Sequence, residues 1–225
     1  MTDSIDSAAK SRPSKTKERQ FKGLSMAERQ QARREKLIEA GIEAYGSYGF
    51  FSVTVKDICN EAKLTERYFY ESFKKSEHLF QTIFLKLIDE LQQNVMQAMM
   101  QASTDPKKMI EAGLSALLTT LRDNPRMARI IYIDAMLVQE LHNQATIHET
   151  MSRFDRMIHA FVMLMMPQLN RSEQEISLVS TGLNGYVTQI AIRWVMSGFK
   201  HSLEEVLSSC SVVFLALLDS FSEKK

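Results

Sequence analysis

Residues 54–73, TVKDICNEAKLTERYFYESF, carry two short apolar patterns with a break between them, and they constrain the fold more than any other stretch. The first pattern has the i, i+3, i+4, i+7 spacing of one helix face: Val55, Ile58, Cys59 and Ala62. Thr54 directly precedes this face, where its hydroxyl can accept a hydrogen bond from an unpaired N–H of the first turn. The spacing breaks at Lys63, so the helix is predicted to end there.

A second short helix is predicted directly after this break. Thr65 is its expected N-cap, and Phe69 and Phe73, four residues apart, point back towards the first helix. The outward side chains are polar, aromatic or cationic: Glu66, Arg67, Tyr68, Tyr70 and Glu71. A helix that presents such groups after a short helix and a tight turn is typical of a helix-turn-helix module, which reads the major groove of DNA.

The residues around this module resemble the N-terminal domain of the TetR (tetracycline-repressor-like) transcription regulators. The run GFFSVTVKDICNEAKLTERYFYESFKKSEHLF contains a glycine-aromatic pair, Thr-Val-x-Asp-Ile, Glu-Ala and Tyr-Phe-Tyr-x-x-Phe in the order of that family. The motif match covers residues 30–85, and the rest of the chain agrees in length and helical pattern only. The resemblance implies an all-α protein: an N-terminal three-helix helix-turn-helix domain that binds DNA, and a C-terminal six-helix domain that senses a ligand and dimerises. It also implies repression that a small effector relieves.

Composition favours an all-helical protein, and no cofactor is expected. Gly and Pro are scarce, with 8 and 4 residues, and no long stretch alternates apolar and polar residues. No apolar run is long enough to span a bilayer, and the N-terminus lacks an apolar signal-peptide core, so we expect a cytoplasmic protein without membrane association. The two cysteines, Cys59 and Cys210, lie on apolar helix faces, which favours structural thiols over a disulfide or a redox sensor.

A basic segment overlaps the start of the chain. Residues 10–36 contain ten Lys or Arg and three Glu, a net charge of +7, whereas the whole chain carries +1. A basic arm on an otherwise acidic molecule can bind DNA phosphates. A solvated, disordered tail explains the same composition, so both interpretations stay open.

Capping patterns and periodicity divide the chain into three parts. These are a disordered basic arm over residues 1–24, a helix-turn-helix domain over 25–85 and a ligand-sensing and dimerisation domain over 86–225. Ser25 and Glu28 form a capping box at the first helix. Ser76 is expected to cap a long helix that belongs to both domains, and five further helices follow it.

The candidate DNA contacts are assigned from the chemistry of each side chain. Thr54, at a helix N-terminus, can bind a phosphate oxygen, and Thr65 can do the same or reach a base edge. Arg67 is the candidate for a guanine or a phosphate, and Tyr68 for a thymine methyl or a phosphate. The resemblance implies that Tyr70 binds a phosphate through its hydroxyl, while packing is the alternative role for both tyrosines. Further basic residues are expected near the phosphates: Lys75, Arg33 and Arg34.

Three residues depart from the family pattern. Lys63 stands where the turn usually has glycine, which requires a lysine in the left-handed conformation. Ser76 replaces a lysine that is common at that place, and Lys75 can substitute for it. Glu66 is acidic close to the DNA, where it can interact favourably with its own helix N-terminus or accept from a cytosine amino group.

The second domain is rich in methionine, with 14 in the chain as a whole. Flexible thioethers line adaptable apolar pockets, and ordinary core packing explains the same content equally well. Together with aromatic residues they predict a large lipophilic effector. The predicted pocket comprises Met127, Ile131, Met136, Phe154, Phe161, Asn184 and Trp194.

The last two predicted helices are apolar around too much of their circumference for one buried face. One side is expected to meet its own domain and the other a second subunit, and burial within a monomer is the alternative. The resemblance implies a four-helix bundle between two subunits. The predicted interface comprises Leu183, Tyr186, Ile190, Val206, Cys210, Val213, Phe214 and Leu217. A homodimer with two modules should bind a pseudo-palindromic operator in double-stranded DNA.

The sequence shows no catalytic constellation. Its five histidines lack metal-ligand spacing, and it contains neither a glycine-rich phosphate loop nor Gly-x-Ser-x-Gly. We therefore expect no enzyme activity. The remaining alternative is a DNA-bound adaptor whose second domain binds a protein. A dry, closed core in the second domain would favour the adaptor, and an enclosed pocket of drug-sized volume with a few polar groups would favour the sensor.

Overall fold

The computed structural model describes residues 25–102, 104–138, 145–165 and 171–222, which form nine helices and no strand. The predicted all-α fold is confirmed. The helices are α1 (Met26–Tyr48), α2 (Val55–Ala62), α3 (Glu66–Ser72), α4 (Ser76–Ala102), α5 (Pro106–Asp123), α6 (residues 125–137), α7 (Ala145–Met165), α8 (Glu173–Met196) and α9 (Leu203–Ser222). The predicted arm, residues 1–24, lies outside the described residues. Within the described residues, no helix combines the length and apolarity needed to cross a membrane.

The capping boxes that the sequence predicts at α1 and α8 are formed. At α1, Ser25 accepts from the backbone N–H of Glu28, whose carboxylate accepts in return from the Ser25 N–H. An equivalent capping box opens α8 at Ser172 and Glu175. At α4 the prediction is wrong by one position, because Ser76 is the first helical residue rather than the cap.

A left-handed lysine closes the turn between α2 and α3. Lys63 has φ 54° and ψ 43°, as the sequence requires of a residue in this place. Its N–H donates to the Asn60 carbonyl at 3.1 Å, and the N–H of Leu64 donates to the Cys59 carbonyl at 2.9 Å. These bonds satisfy carbonyl groups at the end of α2 and direct the chain into α3.

An aromatic cluster joins α1 and the turn that follows it to α4. The Phe80 ring of α4 lies 5.5 Å from the Tyr45 ring of α1 and 5.0 Å from the Phe50 ring, in the short turn after α1. Phe69 and Phe73 are almost completely buried in the same core. A helix as short as α3 is not stable on its own, so this packing holds it in place.

Helix α4 continues from this core into the second half of the chain. There it packs along α5, which also contacts α9, while α8 packs against both α7 and α9. The buried residues of α4 keep helical spacing over most of its length: Leu79, Phe80, Ile83, Phe84, Leu87, Ile88, Leu91 and Val95. The predicted domain boundary at residue 85 lies within this helix and stays a prediction.

Helix α6 contains a π-helical turn that the sequence pattern does not predict. It begins as Pro125–Arg129, passes through the π-helical turn Ile130–Asp134 and ends as Ala135–Leu137. Its start crosses the end of α1 very closely, since a Cβ atom at Gly46 would lie 2.3 Å from the Cβ atom of Arg126. The absence of a side chain at Gly46 therefore permits this contact between the two helices.

We expect Lys63→Gly to stabilise the protein. Glycine adopts the left-handed conformation without the cost of about 1 kcal/mol or more that an L side chain incurs. Its greater freedom in the unfolded chain offsets part of this gain, which leaves about 0.5 kcal/mol. Urea unfolding followed by circular dichroism measures the change. The matched variant Lys56→Gly, at an exposed position within α2, should destabilise by about 1 kcal/mol. Equal destabilisation by the two variants would contradict this account of the turn.

Candidate DNA-binding surface and effector cavity

The predicted recognition helix, α3, presents polar side chains to solvent. The side chain of Arg67 is 84% exposed and Tyr70 is 58% exposed. Thr65 occupies the N-cap position without a side-chain cap hydrogen bond. Glu66, between Thr65 and Arg67, and Lys75, after α3, are also exposed. The surface thus combines cationic, aromatic and hydroxyl groups that can contact a nucleic acid.

Thr54 is engaged in capping α2. Its hydroxyl accepts from the Asp57 N–H at 3.2 Å and donates to the Asp57 carboxylate at 2.6 Å, and its own N–H donates to that carboxylate at 2.9 Å. These bonds hold the pKa of Asp57 below its ordinary value. A phosphate that contacts Thr54 would have to share this hydroxyl with Asp57.

Arg33 and Arg34, which the sequence predicts near phosphates, contact aromatic rings. The guanidinium carbon of Arg33 lies 4.4 Å from the centre of the Tyr68 ring, and Nη2 of Arg33 lies 3.7 Å from Oε2 of Glu71. The guanidinium carbon of Arg34 lies 4.9 Å from the centre of the Phe73 ring. These cation–π contacts connect α1 to α3 and to the residue that follows it.

An apolar cavity of about 90 Å³ lies between α4, α5, α7, α8 and α9. It includes three of the residues predicted for the pocket: Phe154, Phe161 and Asn184. Asn184 is the one polar side chain among the described residues that line it. The cavity therefore suits the uncharged, apolar part of a molecule, because a buried charge would find no partner on its walls.

A smaller cavity of about 70 Å³ adjoins the first. The two cavities share four lining residues: Leu117, Phe154, Asn184 and Val187. Ile131 and Met136, both predicted for the pocket, line the smaller cavity from α6. The other two predicted residues line neither one. Met127 is buried in the core, and the Nε1–H of Trp194 donates to the His201 carbonyl at 2.9 Å.

A polar cluster supports the wall that the two cavities share. The Asn184 side-chain amide donates to the Asp155 carboxylate at 2.7 Å, and the Thr181 hydroxyl donates to the other oxygen of that carboxylate at 2.9 Å. These bonds fix the orientation of the Asn184 amide. The sequence analysis did not identify Asp155, because a carboxylate on an amphipathic helix most often faces solvent.

Sequence reasoning also missed the contribution of α5 to the cavity. Leu117 and Gly113 belong to a regular apolar stripe that looks like ordinary core. The one unusual residue in that stripe is Gly113, where a Cβ atom would lie 2.8 Å from the Met99 side chain. A glycine within a stripe of large aliphatic residues is the signal that could have indicated a site of close packing.

The Arg129 side chain connects α6 to the turn after α1, and it pairs with Asp134 of its own helix. Asp134, in the π-helical turn, is nearly completely buried, and its carboxylate lies 3.6 Å from Nε of Arg129. Burial raises the pKa of Asp134, while Arg129 and the backbone of Phe50 oppose that shift. The Arg129 guanidinium also lies against Gly49, where φ is 86° and a Cβ atom would be 2.5 Å from Nη2. The helix that borders the smaller cavity is thus in direct contact with the helix-turn-helix module.

The residues predicted for the dimer interface lie mainly on the inner side of α8 and α9. Three of them, Leu183, Val206 and Cys210, are buried within the chain itself. Burial also raises the pKa of the Cys210 thiol to about 11. The other five are partly exposed: Tyr186, Ile190, Val213, Phe214 and Leu217. Of these, Phe214 and Leu217 line the main cavity. Buried side chains cannot contact a second subunit. Leu183, Val206 and Cys210 therefore face the core of their own chain and not the outer side of the two helices.

The outer side of the same two helices carries exposed apolar and small residues. Leu178 in α8 is 74% exposed and Val212 in α9 is 60% exposed. Gly182 and Gly185, also exposed on α8, have no neighbouring atoms within 4 Å of a Cβ position. Exposed large apolar side chains beside small residues are suited to close packing of helices from another molecule.

The helix-turn-helix module, the long helix α4 and the helical domain with its cavity together define the fold of the TetR-family transcription regulators. The fatty acid degradation regulator FadR from Bacillus halodurans superposes with a TM-score of 0.69 at 15% identity, over 80% of this chain and 93% of that one. FadR from Bacillus subtilis, solved with stearoyl-CoA, has a TM-score of 0.67 at 15% identity, over 80% and 96%.

A TetR-family regulator from Pectobacterium atrosepticum has a TM-score of 0.68 at 14% identity, over 88% of this chain and 97% of that one. At these identities the similarity shows the fold. All three of these proteins are regulators. No protein-family model and no curated protein sequence matches the chain.

Proposed function

We propose that this protein is a cytoplasmic DNA-binding transcription regulator. It acts as a repressor that binds a pseudo-palindromic operator as a homodimer and releases it when a lipophilic small molecule binds. The observation that carries the proposal is the course of α4. Phe80, near its start, packs in the core beneath the recognition helix, and Val95, near its end, lines the apolar cavity. One rigid element therefore connects a surface suited to DNA with a site suited to a ligand.

The exposed face of α3 supports operator recognition. Arg67 can form two hydrogen bonds with the edge of a guanine, whereas Tyr70 and Lys75 carry groups that suit phosphates. Phosphate contacts position the protein, and base contacts select the sequence. Each cation that neutralises a phosphate also makes binding depend more steeply on salt.

We expect Arg67→Ala and Tyr70→Phe to affect DNA binding differently. Arg67→Ala should weaken binding to the preferred duplex by about 5- to 150-fold, the range for one bidentate base contact, and relax the preference at one base pair. Tyr70→Phe should weaken binding to preferred and scrambled duplexes alike, by about tenfold or less, because a phosphate contact carries no sequence information. Fluorescence anisotropy with duplexes selected in vitro from a random pool measures both effects.

Arg156→Ala is the matched control for these two variants. It removes an exposed arginine from α7, far along the chain from the module, and should leave both affinities unchanged. If the wild-type protein bound selected and scrambled duplexes equally at physiological salt, the proposal of a sequence-specific regulator would be wrong.

The outer face of α8 and α9 supports the homodimer. Leu178 and Val212 expose apolar area on neighbouring helices, and Gly182 and Gly185 leave room for a close approach. A two-fold axis through this face would pack the same two helices of each subunit against each other, as closed symmetry requires. Two modules related by that axis match a pseudo-palindromic site.

We expect Val212→Arg to dissociate the dimer and to lower operator affinity, because a buried guanidinium without a partner is costly at an interface. Light scattering after size-exclusion chromatography measures the mass. Met100→Arg is the control, since Met100 is exposed on α4, outside the proposed interface. A wild-type protein that is monomeric at micromolar concentration, or a Val212→Arg protein that remains dimeric, would exclude this interface.

The cavity supports a lipophilic effector. Its apolar walls and the single polar side chain of Asn184 match a hydrocarbon that carries few polar groups. The structural neighbour FadR from Bacillus subtilis was solved with stearoyl-CoA, which contains a long acyl chain. Ligand pockets usually measure about 300–1,000 Å³, so a drug-sized ligand would have to displace lining side chains. Met99, Met157 and Met165 are suited to this, because their flexible side chains adapt their shape.

Displacement at the cavity would reach the DNA module by two connections. Val95 and Met99 belong to α4, and Ile131 lies in the π-helical turn whose Asp134 pairs with Arg129 next to Gly49. A ligand releases DNA only if it binds more tightly to the conformation that fits the operator poorly. Both connections contact the module directly, which supports a coupling between ligand binding and the conformation of the module.

We expect Leu117→Phe to abolish the effector response while operator binding persists. Leu117 lies on the wall shared by the two cavities, so a larger ring would fill the space. Stearoyl-CoA, stearate and deoxycholate serve as probes in thermal-shift and operator-release assays. At 100 times its Kd a ligand stabilises the folded protein by about 2.7 kcal/mol, which these assays detect.

Leu164→Phe, on the exposed side of α7, is the control for the cavity variant. It adds the same ring outside the cavities and should keep both responses. If no lipophilic compound changed both stability and operator affinity, the effector part of the proposal would fail and a DNA-bound adaptor would become the better interpretation. The apolar walls of the cavity favour the sensor over that adaptor, although its volume of about 90 Å³ is below that of a drug-sized pocket.

A further inference from the structure

One arginine of α1 lies against two side chains of the recognition helix at once. Arg33 stacks on the Tyr68 ring at 4.4 Å and approaches Oε2 of Glu71 at 3.7 Å. Its side chain is only 24% exposed, so it is held between α1 and α3. By contrast, the Arg67 side chain is 84% exposed, and its Nε donates to Oε1 of Glu71 at 3.2 Å.

The Glu71 carboxylate is therefore shared by two arginines of different mobility. Arg67 is mostly in solvent and can turn away towards a nucleic acid, whereas Arg33 is packed on an aromatic ring. If Arg67 leaves, Arg33 still balances the charge of Glu71. Without Arg33, the departure of Arg67 would leave a carboxylate next to DNA phosphates, where like charges repel.

We infer that Arg33 is a positioning residue for sequence reading, an inference that rests on the proposed function. It fixes the Tyr68 ring and neutralises Glu71, and it thereby frees Arg67 to contact a base. This role differs from that of a phosphate ligand, which the basic character of α1 alone would indicate. A phosphate ligand adds affinity for any DNA, whereas a positioning residue adds affinity mainly for the preferred sequence.

Arg33→Gln and Arg34→Gln form a matched pair that separates the two roles. They remove the same charge from adjacent positions of α1, but Arg34 contacts Phe73 rather than Tyr68 or Glu71. Arg33→Gln is expected to lower affinity for the selected duplex by about tenfold and for the scrambled duplex by less than about twofold, in line with the loss of one base contact. Arg34→Gln is expected to lower both affinities by the same factor.

Replacement of Glu71 provides a rescue that a merely structural role would not show. In a Glu71→Gln background no carboxylate holds Arg67, so Arg33→Gln should cost less than about threefold on the selected duplex. The base preferences of the Arg33→Gln protein, selected from a random pool, should broaden at the same base pair as those of Arg67→Ala. Circular dichroism confirms that each variant is folded. If Arg33→Gln does not fold, Arg33→Lys replaces it, and this variant should keep most of the selectivity because the charge near Glu71 remains.

Two outcomes would overturn the inference. Equal losses on selected and scrambled duplexes, with a salt dependence reduced by about one phosphate contact, would make Arg33 a phosphate ligand. A tenfold loss that persists unchanged in the Glu71→Gln background would show that Glu71 is not involved. Both results require a wild-type protein that prefers the selected duplex. If the wild type shows no preference, the proposed function itself fails, which is a distinguishable result.

Discussion

The contact of Phe80 with Tyr45 and Phe50 is the interaction on which the rest of the structure depends. It makes the start of α4 part of the core of the helix-turn-helix module, so that α4 cannot move there without the module. Aromatic pairs at these distances bury large areas and favour specific relative orientations. The helix has 27 residues in all, and Val95, which lines the cavity, follows Phe80 by 15 residues, about 22 Å at 1.5 Å per residue. A single helix therefore runs from the core of the module to the cavity.

A second connection restricts how the module can respond. At Gly46 the backbones of α1 and α6 approach so closely that even a Cβ atom would not fit, and further along α6 the Arg129 guanidinium lies against Gly49. At Gly46 the close neighbours are the Cβ and Cα atoms of Arg126, so little side-chain flexibility can absorb a shift at that contact. Between these contacts and the smaller cavity lies the π-helical turn with the buried Asp134. Such turns are frequent at functional sites, and this one places cavity-lining and module-contacting residues within the same few positions.

Features fixed by local chemistry could be predicted from the sequence, and features fixed by packing could not. The capping box at Ser25 and the left-handed Lys63 depend on neighbouring residues alone, and both are confirmed. The two-sided use of the apolar pattern of α9 stays a prediction. However, periodicity does not tell which stripe faces the chain's own core, and Cys210 was assigned to a partner although it is completely buried.

The cavity shows the same limit. Asn184 and Phe154 were predicted as lining residues because a polar or aromatic residue differs from its neighbours in an apolar stripe. Leu117 looks like any other core leucine until the positions of the neighbouring helices are known. Arg33 was recognised as basic, which pointed to phosphate. Its contacts with Tyr68 and Glu71 depend on the crossing of α1 and α3, which no local pattern specifies.

Two arginines of the proposed DNA surface, Arg33 and Arg67, are paired within the chain. Arg67 and Arg33 share Glu71, and the Thr54 hydroxyl is shared with Asp57. Contact with DNA would therefore exchange internal pairs for external ones, so the net gain per contact is smaller than for a free cation. Such an exchange is favourable only where the DNA group forms a hydrogen bond or ion pair of good geometry with the side chain. A surface of this kind gains less from phosphate in general and relatively more from the correct base, which is compatible with a chain whose net charge is only +1.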